Sequence, residues 1–569
     1  MSGNGYLFEG GSIRTLDPCV PRAAALAVRG ERIVAVGERS ELREAFPGFA
    51  RVDLEGRTVL PAFTDSHIHF AAVGLALRRV NLRSCRSLRD AVDLVAAACR
   101  RARPGEWILG GRWDKNLWPE GRFPRRDDLD LVTGPHPVAL QSKDGHTTWV
   151  NSAALAAAEI GTATPDPPGG RIVRDPSTGE PTGLLAERAA DAVMALADDP
   201  SPELLEEAIV DAGAAAHRAG IASVHDMEGG KVLTALQRLR ARGALPVRVC
   251  MMIPEDALEA AIQLGIRSGF GDAWLRVGGV KIFADGALGS QTASMLEPYE
   301  GEPENTGIVV RTREQLVALA RRAAGGGIAA VVHAIGDRAV RSVLDAIEAA
   351  EAELPSPARG TLRHRIEHVQ LLHPADLPRM AALGVIASMQ PIHCTQDRDI
   401  AERYWGTRSR YGYAWRSLRE HGIALAFGSD APVETLDVLA GIYAAVTRKR
   451  REEPRRAPWY PDEALSVEEA VRAYTAGGAY AAGEEAIKGR LAPGRLADFV
   501  VLSADPLTIP PEELPRVAVE MTVVGGAVRY SSSSTSSAPP GSSSSASSGG
   551  SDSSSSSSAS SSPSAGIST

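Results

Sequence analysis

Lysine is scarce in this chain of 569 residues. Six of its 62 basic residues are lysines, at 115, 143, 231, 281, 449 and 488, and the other 56 are arginines. The position of any one lysine is therefore informative. Cysteine is scarce as well: five residues, at 19, 85, 99, 250 and 394, form no C-x-x-C pair and no even framework. That pattern argues against a disulfide scaffold and suits free thiols in a reducing cytoplasm. No apolar run approaches the ~20 residues of a membrane span. The first residues lack the basic and apolar regions of a secretory signal. An excess of positive charge is also absent. The net charge of −8 leaves no electrostatic footprint for nucleic acid. These absences lead to the expectation of a cytoplasmic protein with a small-molecule substrate, and with neither nucleic acid nor membrane as partner.

What is present is an ordinary globular composition, 44% apolar and 23% charged. The length exceeds one domain of ~150 residues. Residues 531–569 hold 24 serines with little besides Ala, Gly, Pro and Thr. Such a tail cannot bury enough apolar area to offset its ordering entropy, so it is expected to be disordered. Short strands with turns read at 6–14, 24–29, 31–36 and 51–54, and again at 517–524 and 527–530. Residues 1–60 and 485–530 are expected to form one composite β-sandwich domain. Between them, 61–484 alternates apolar strands with helical stretches such as 313–324 and 339–352. Eight strand candidates (58–63, 221–225, 246–252, 276–283, 328–333, 363–368, 385–390 and 423–427) predict an α/β fold, a (β/α)8 TIM-like barrel with function at the strands' C-terminal ends. The long gap at about 75–205 contains Trp107, Trp113, Trp118 and Trp149, half of the eight tryptophans. It reads as a separately packed insertion after the first strand, placed to act as a lid.

Polar groups stand at the ends of these apolar runs. The first run leads into His67-Ile-His69, the fourth carries Lys281 and Asp285, the fifth ends in His333, the sixth in Glu367-His368, and the eighth leads into Asp430. In a strand, residues i and i+2 share a face, so His67 and His69 can present two imidazoles to one ion. A charged or imidazole group there is costly unless paired or metal-bound.

The ordered set resembles the amidohydrolase superfamily. The segments Ser-His-Ile-His (66–69), Lys-Ile-Phe-Ala-Asp-Gly-Ala-Leu-Gly-Ser (281–290), His-Ala-Ile-Gly-Asp-Arg-Ala (333–339), Arg-Ile-Glu-His (365–368) and Gly-Ser-Asp-Ala-Pro (428–432) are similar to its amidohydrolase-3 branch of YtcJ-like and N-substituted formamide deformylase-like proteins. The resemblance covers about residues 5–530. It implies one or two divalent metal ions, Zn2+ by preference. His67, His69 and Asp430 would hold the more buried ion. Lys281, carboxylated by CO2 to a carbamate, would bridge to a second ion on His333 and His368. It further implies hydrolysis of a non-peptide carbon–nitrogen bond, such as an N-formyl amide, by metal-activated hydroxide, with Asp430 as the catalytic proton carrier.

His146, in an Asp-Gly-His segment of the insertion, and His393, after the seventh strand, are expected at the substrate. Asp285 either joins them or pairs with an unmodified Lys281. His225 is ambiguous, and His136, His217, His364, His373 and His421 read as helix or loop residues. Arg408, Arg410 and Arg416 would either bind a substrate carboxylate or form surface pairs. A homodimer is the default. Two rival readings stand beside the hydrolase. One is a deaminase of aminated heterocycles, in which Asp337 would replace a shuttling Glu absent at Gly336. The other is a non-catalytic, metal-stabilised binding protein.

Overall fold

Eight short, mostly apolar runs lie side by side in parallel. They are Phe63–Ile68, Ile221–Asp226, Arg248–Pro254, Leu275–Phe283, Ala329–Ala334, Arg365–His368, Ile386–Met389 and Leu425–Phe427. Each pairs with its neighbour in sequence order. The computed structural model describes residues 5–142, 147–167, 170–197, 200–289 and 291–532. His146 lies outside the described residues, as does the serine tail from 533 onward.

Helices separate the strands, as βα units require. Thr312 caps Arg313–Gly325 through a reciprocal box with Gln315, and Asp337–Glu353 follows the fifth strand. The first and last strands meet at a seam. There the Asp430 amide donates to the His67 carbonyl at 2.7 Å and the His69 amide to that of Ala431 at 3.0 Å. Ser429 donates from its amide and hydroxyl to Asp65, at 2.9 and 2.5 Å.

The first barrel strand differs from its expected position at 58–63. Thr58–Pro61 pairs antiparallel with Phe499–Leu502, outside the barrel. Only after Ala62 does Phe63–Ile68 enter the barrel, beside Ile221–Asp226. The apolar run belongs to one sheet and the polar run Thr-Asp-Ser-His to the other. The polar run is nevertheless buried, because hydrogen bonds satisfy Asp65 and His67.

Strands from both chain ends form one eight-stranded sheet, running from Ala527–Ser531 through Phe499–Leu502, Thr58–Pro61 and Tyr6–Arg14 to Arg32–Gly37. Its residues alternate between two apolar clusters, Phe8, Leu26 and Val28 in one and Leu7, Ala25 and Ala27 in the other. Arg248, the first residue of the third barrel strand, ties this sheet to the barrel. Its guanidinium meets Asp498 at 2.7 and 3.0 Å, with both side chains buried.

The insertion carries its own six-stranded sheet, from Val80–Asn81 at one edge to Gly170–Arg174 at the other. Trp113, Trp118 and Trp149 pack there at ring-centroid distances of 6.1–6.4 Å. Among the described residues no helix is long and apolar enough to cross a membrane.

Candidate metal centre

The C-terminal strand ends place six side chains around one cavity of about 390 Å³: His67, His69, Lys281, His333, His368 and Asp430. His67 lies within the first barrel strand. His69 lies one residue past its end and caps helix Phe70–Arg78, rather than continuing the strand as its spacing suggests. Both imidazoles still reach the same carboxylate. Their Nε2 atoms lie 3.5 and 3.4 Å from Asp430 Oδ1. The tightest group is His67, His368 and Asp430, whose ligand atoms lie within 4.8 Å of one another. His333 and His368 stand with ring centroids 4.6 Å apart. The chain bends sharply at two of these positions, with φ of 76° at His368 and 58° at Asp430. Non-glycine residues in this region are uncommon, and such bends cluster at functional sites.

Each buried imidazole is anchored by one nitrogen, which fixes the other. His67 Nδ1–H donates to Glu367 Oε2 at 2.5 Å, leaving the Nε2 lone pair. His368 Nδ1–H donates to Gln390 Oε1 at 2.8 Å, again leaving Nε2. His333 Nε2–H donates to the Gly286 carbonyl at 2.9 Å, leaving Nδ1. Carboxylates, amides and carbonyls that orient imidazoles in this way are the usual supports of metal ligands.

Electrostatics point the same way. Burial, with Lys281 adding to it, lowers the pKa of His67 and takes that of His333 down to about 4. Burial and the neighbouring His333 hold His368 well below the ordinary imidazole value. All three rings are therefore neutral at pH 7. Burial alone would raise Asp430, yet the His67, His393 and His69 imidazoles outweigh it and hold the carboxyl far below the ordinary range. Lys281 is brought down to about 8 by burial. Neutral imidazoles beside a carboxylate are the donor set of a borderline divalent cation, so these residues fit one.

Sequence patterning does not single out two supporting groups. Glu367 stands out there only as part of the segment Arg-Ile-Glu-His. Burial opposes its charge, but Arg365 and His67 overcome it and hold its pKa at about 2. Arg365 Nε stands 2.6 Å from Glu367 Oε1, and its NH1 meets His225 Nδ1 at 2.8 Å, which gives that ambiguous histidine a structural partner. The available signal is Arg-x-Glu, two charges on one face of a strand expected to be buried. Asp65 carries no such signal. Burial raises it to about 7 against the opposing Ser429 bonds.

The remaining candidates divide. His393 lines the cavity and its Nε2–H donates to Asp430 Oδ2 at 3.2 Å. Asp285 does not line the cavity and forms no ion pair with Lys281 among the described residues. Its oxygens accept the amides of Ser294, Ile335 and Gly336 at 2.8–3.0 Å, because the loops after the fourth and fifth strands need a buried acceptor. Asp337 accepts the Leu296 amide at 2.8 Å and is absent from the cavity wall. Arg408 donates to the Glu297 and Pro298 carbonyls and Arg416 pairs with Glu469; among the described residues no arginine lines the cavity.

The chain is similar to known proteins over most of its length. The profile of the amidohydrolase family matches residues 50–530, and that of an imidazolonepropionase-like composite domain of bacteria matches residues 24–48. The YtcJ protein of Bacillus subtilis is 34% identical over 92% of this chain and 99% of its own length. The N-substituted formamide deformylase of Arthrobacter pascens is 31% identical over 91% of this chain and 97% of its own. A solved metal-dependent hydrolase of Pyrococcus furiosus, 31% identical, superposes with a TM-score of 0.74 over 89% of this chain and all of its own. With the family profile matching residues 50–530 and relatives of 31–34% identity over most of its length, the chain belongs to the amidohydrolase family.

Proposed function

We propose that this protein hydrolyses the carbon–nitrogen bond of linear amides, N-substituted formamides above all, with Zn2+ in the cytoplasm. The observation that carries the reading is the set of three anchored imidazoles on one cavity, two of which, His67 and His368, group with Asp430. The formamide deformylase among its relatives supports the substrate class. Five free cysteines support the compartment.

A divalent cation held by these residues supplies Lewis acidity toward an amide carbonyl and lowers the pKa of water. The chain's own groups supply the proton handling. Asp430 is a carboxylate at neutral pH, so it can take a proton from the attacking water and return it to the leaving nitrogen. His393 donates to its second oxygen and keeps the carboxylate oriented. Lys281, at about 8, leaves roughly a tenth of its amine neutral at pH 7. The neutral amine can add to CO2. A nitrogen–carbon bond forms, one N–H proton leaves to solvent, and a carbamate of single negative charge replaces the ammonium, suited to stand between two cations.

The test combines metal analysis with a panel of N-alkylformamides, acetamides, esters and aminated heterocycles. Formate release from the formamides is expected. Ammonia release from the heterocycles with no amide cleavage would overturn the reading. Native mass spectrometry should show an increment of one CO2 that disappears in Lys281→Arg; its absence from the unmutated protein would remove the carbamate.

A further inference from the structure

His69 differs from the other histidines of the candidate metal centre. His67, His333 and His368 each have one ring nitrogen held by a hydrogen bond. The His69 ring meets Asp430 through Nε2 at 3.4 Å and, among the described residues, has no bond on Nδ1; its side chain is 35% exposed. It stands at the cap position of helix Phe70–Arg78 yet makes no cap bond with its side chain. A ring turned to the cavity cannot also accept the amides of its own helix. Those first-turn amides have no partner inside the helix, and the end of the second barrel strand supplies one for each. Asp226 Oδ1 accepts the Phe70 amide at 3.4 Å. Glu228 Oε2 accepts the Ala71 amide at 2.6 Å and its Oε1 the Ala72 amide at 3.1 Å. Asp226 Oδ1 also accepts the Glu228 amide at 3.2 Å, so the first acid places the second. Between them the Met227 amide donates to the Ile68 carbonyl at 3.0 Å.

With His69 a metal ligand, as the hydrolase reading requires, we infer that Glu228, backed by Asp226, is a positioning residue for His69: it grips the first turn of the following helix and through that backbone directs an imidazole that lacks a support of its own. The backbone is fixed on both sides of His69. On the N-terminal side its amide donates to the Ala431 carbonyl across the barrel seam at 3.0 Å. On the C-terminal side the two carboxyl groups hold Phe70, Ala71 and Ala72. Farther along, the helix is seated by packing alone, since a Cβ on Gly74 would overlap the Ala208 backbone of helix Pro202–Arg218. Loss of the Glu228 bonds therefore frees the first turn and the His69 ring while the body of the helix stays in place. Outer groups that orient a metal-binding imidazole commonly bond to the ring itself; here the bond is to the backbone next to it.

The experiment is a double-mutant cycle on the full chain, read by metal affinity, with Co2+ as the probe and a chelator as competitor. Glu228→Gln turns an NH2 group toward one of the two amides and should lower Co2+ affinity roughly ten- to a hundredfold. In a His69→Ala background the same substitution should cost no more than about twofold, because the imidazole it positions is gone. Glu228→Asp keeps the carboxylate but shortens its reach. It should give a smaller loss with the same dependence on His69, and it serves as the second variant should Glu228→Gln fail to fold in urea melts of the metal-free protein. The visible absorption of Co2+-loaded Glu228→Gln should shift toward that of His69→Ala. A loss of equal size in both backgrounds, or no loss in either, overturns the inference and leaves the metal centre standing. Unchanged affinity in His69→Ala, with weakened binding in His67→Ala, removes His69 from the ligands and overturns the inference. Absence of Co2+ binding by the unmutated protein overturns the metal centre and the inference together.

Discussion

At the scale of single residues, Asp430 and Glu367 do different things to the same imidazole. Asp430 faces His67 Nε2 across the cavity, and Glu367 holds Nδ1 from behind. Asp430→Asn keeps an oxygen donor in place but cannot carry a proton. It should retain most of its metal by elemental analysis while kcat falls roughly 10²–10⁴-fold; near-normal turnover would remove Asp430 from the mechanism. Glu367→Gln leaves the cavity wall untouched and weakens the orienting bond. Metal affinity, read by competition with a chelator, should fall roughly 10–100-fold. Unchanged affinity would mean that Arg365 and the strand hold His67 without Glu367.

At the scale of elements, the site depends on how the barrel closes. The ladder runs from the first strand to the eighth, and the final seam is made by Asp65, His67 and His69 on one side and Ser429, Asp430 and Ala431 on the other. The residues that close the barrel are thus the candidate metal ligands or their neighbours. Ser429→Ala removes the hydroxyl donor to Asp65 and leaves a buried carboxyl short of one partner. A stability loss of about 1–3 kcal/mol in urea melts is expected, together with weaker metal retention. Loss of stability with unchanged metal content would separate closure from ligand placement. The same seam explains what could be read in advance. The place of His333, His368 and Lys281 on the cavity is legible in the sequence because each ends or interrupts an apolar run, so periodicity and chemistry agree. The register of the first strand is not, because its barrel segment is polar and the adjoining apolar run pairs with Phe499–Leu502, more than 400 residues away in sequence. Long-range pairing leaves no local mark. Asp285 misled for the converse reason. A carboxylate four residues past Lys281 looks like a site residue, and only the fold shows that three loop amides converge on it.

At the scale of the whole molecule, buried titratable groups pull stability in opposite directions with pH. Asp65 and Asp285, raised to about 7 chiefly by burial, bind protons in the native state that the unfolded chain binds only near 3.8. Their contribution is fully present at low pH and is lost as pH rises toward 7. His217, on helix Pro202–Arg218 away from the metal centre, acts the other way. Its Nε2–H donates to the Pro246 carbonyl at 3.0 Å, and burial takes its pKa from 6.5 down to about 4. Between those values the unfolded chain takes up a proton that the native state refuses, so its contribution is present above 6.5 and disappears as pH falls toward 4. A bulk melt would mix these contributions, but a variant isolates one. His217→Gln keeps a donor for Pro246 and removes the titration. Each pH unit between the two values changes the stability by about 1.4 kcal/mol. The stability of the unmutated protein relative to His217→Gln should therefore fall by roughly 3 kcal/mol over that interval, while the Asp65 and Asp285 contributions cancel in the difference. A pH-independent difference would show that His217 is charged or solvated in the native fold. In that case this helix would sit less closely against the Pro246 loop, ahead of the third barrel strand, than its hydrogen bond implies.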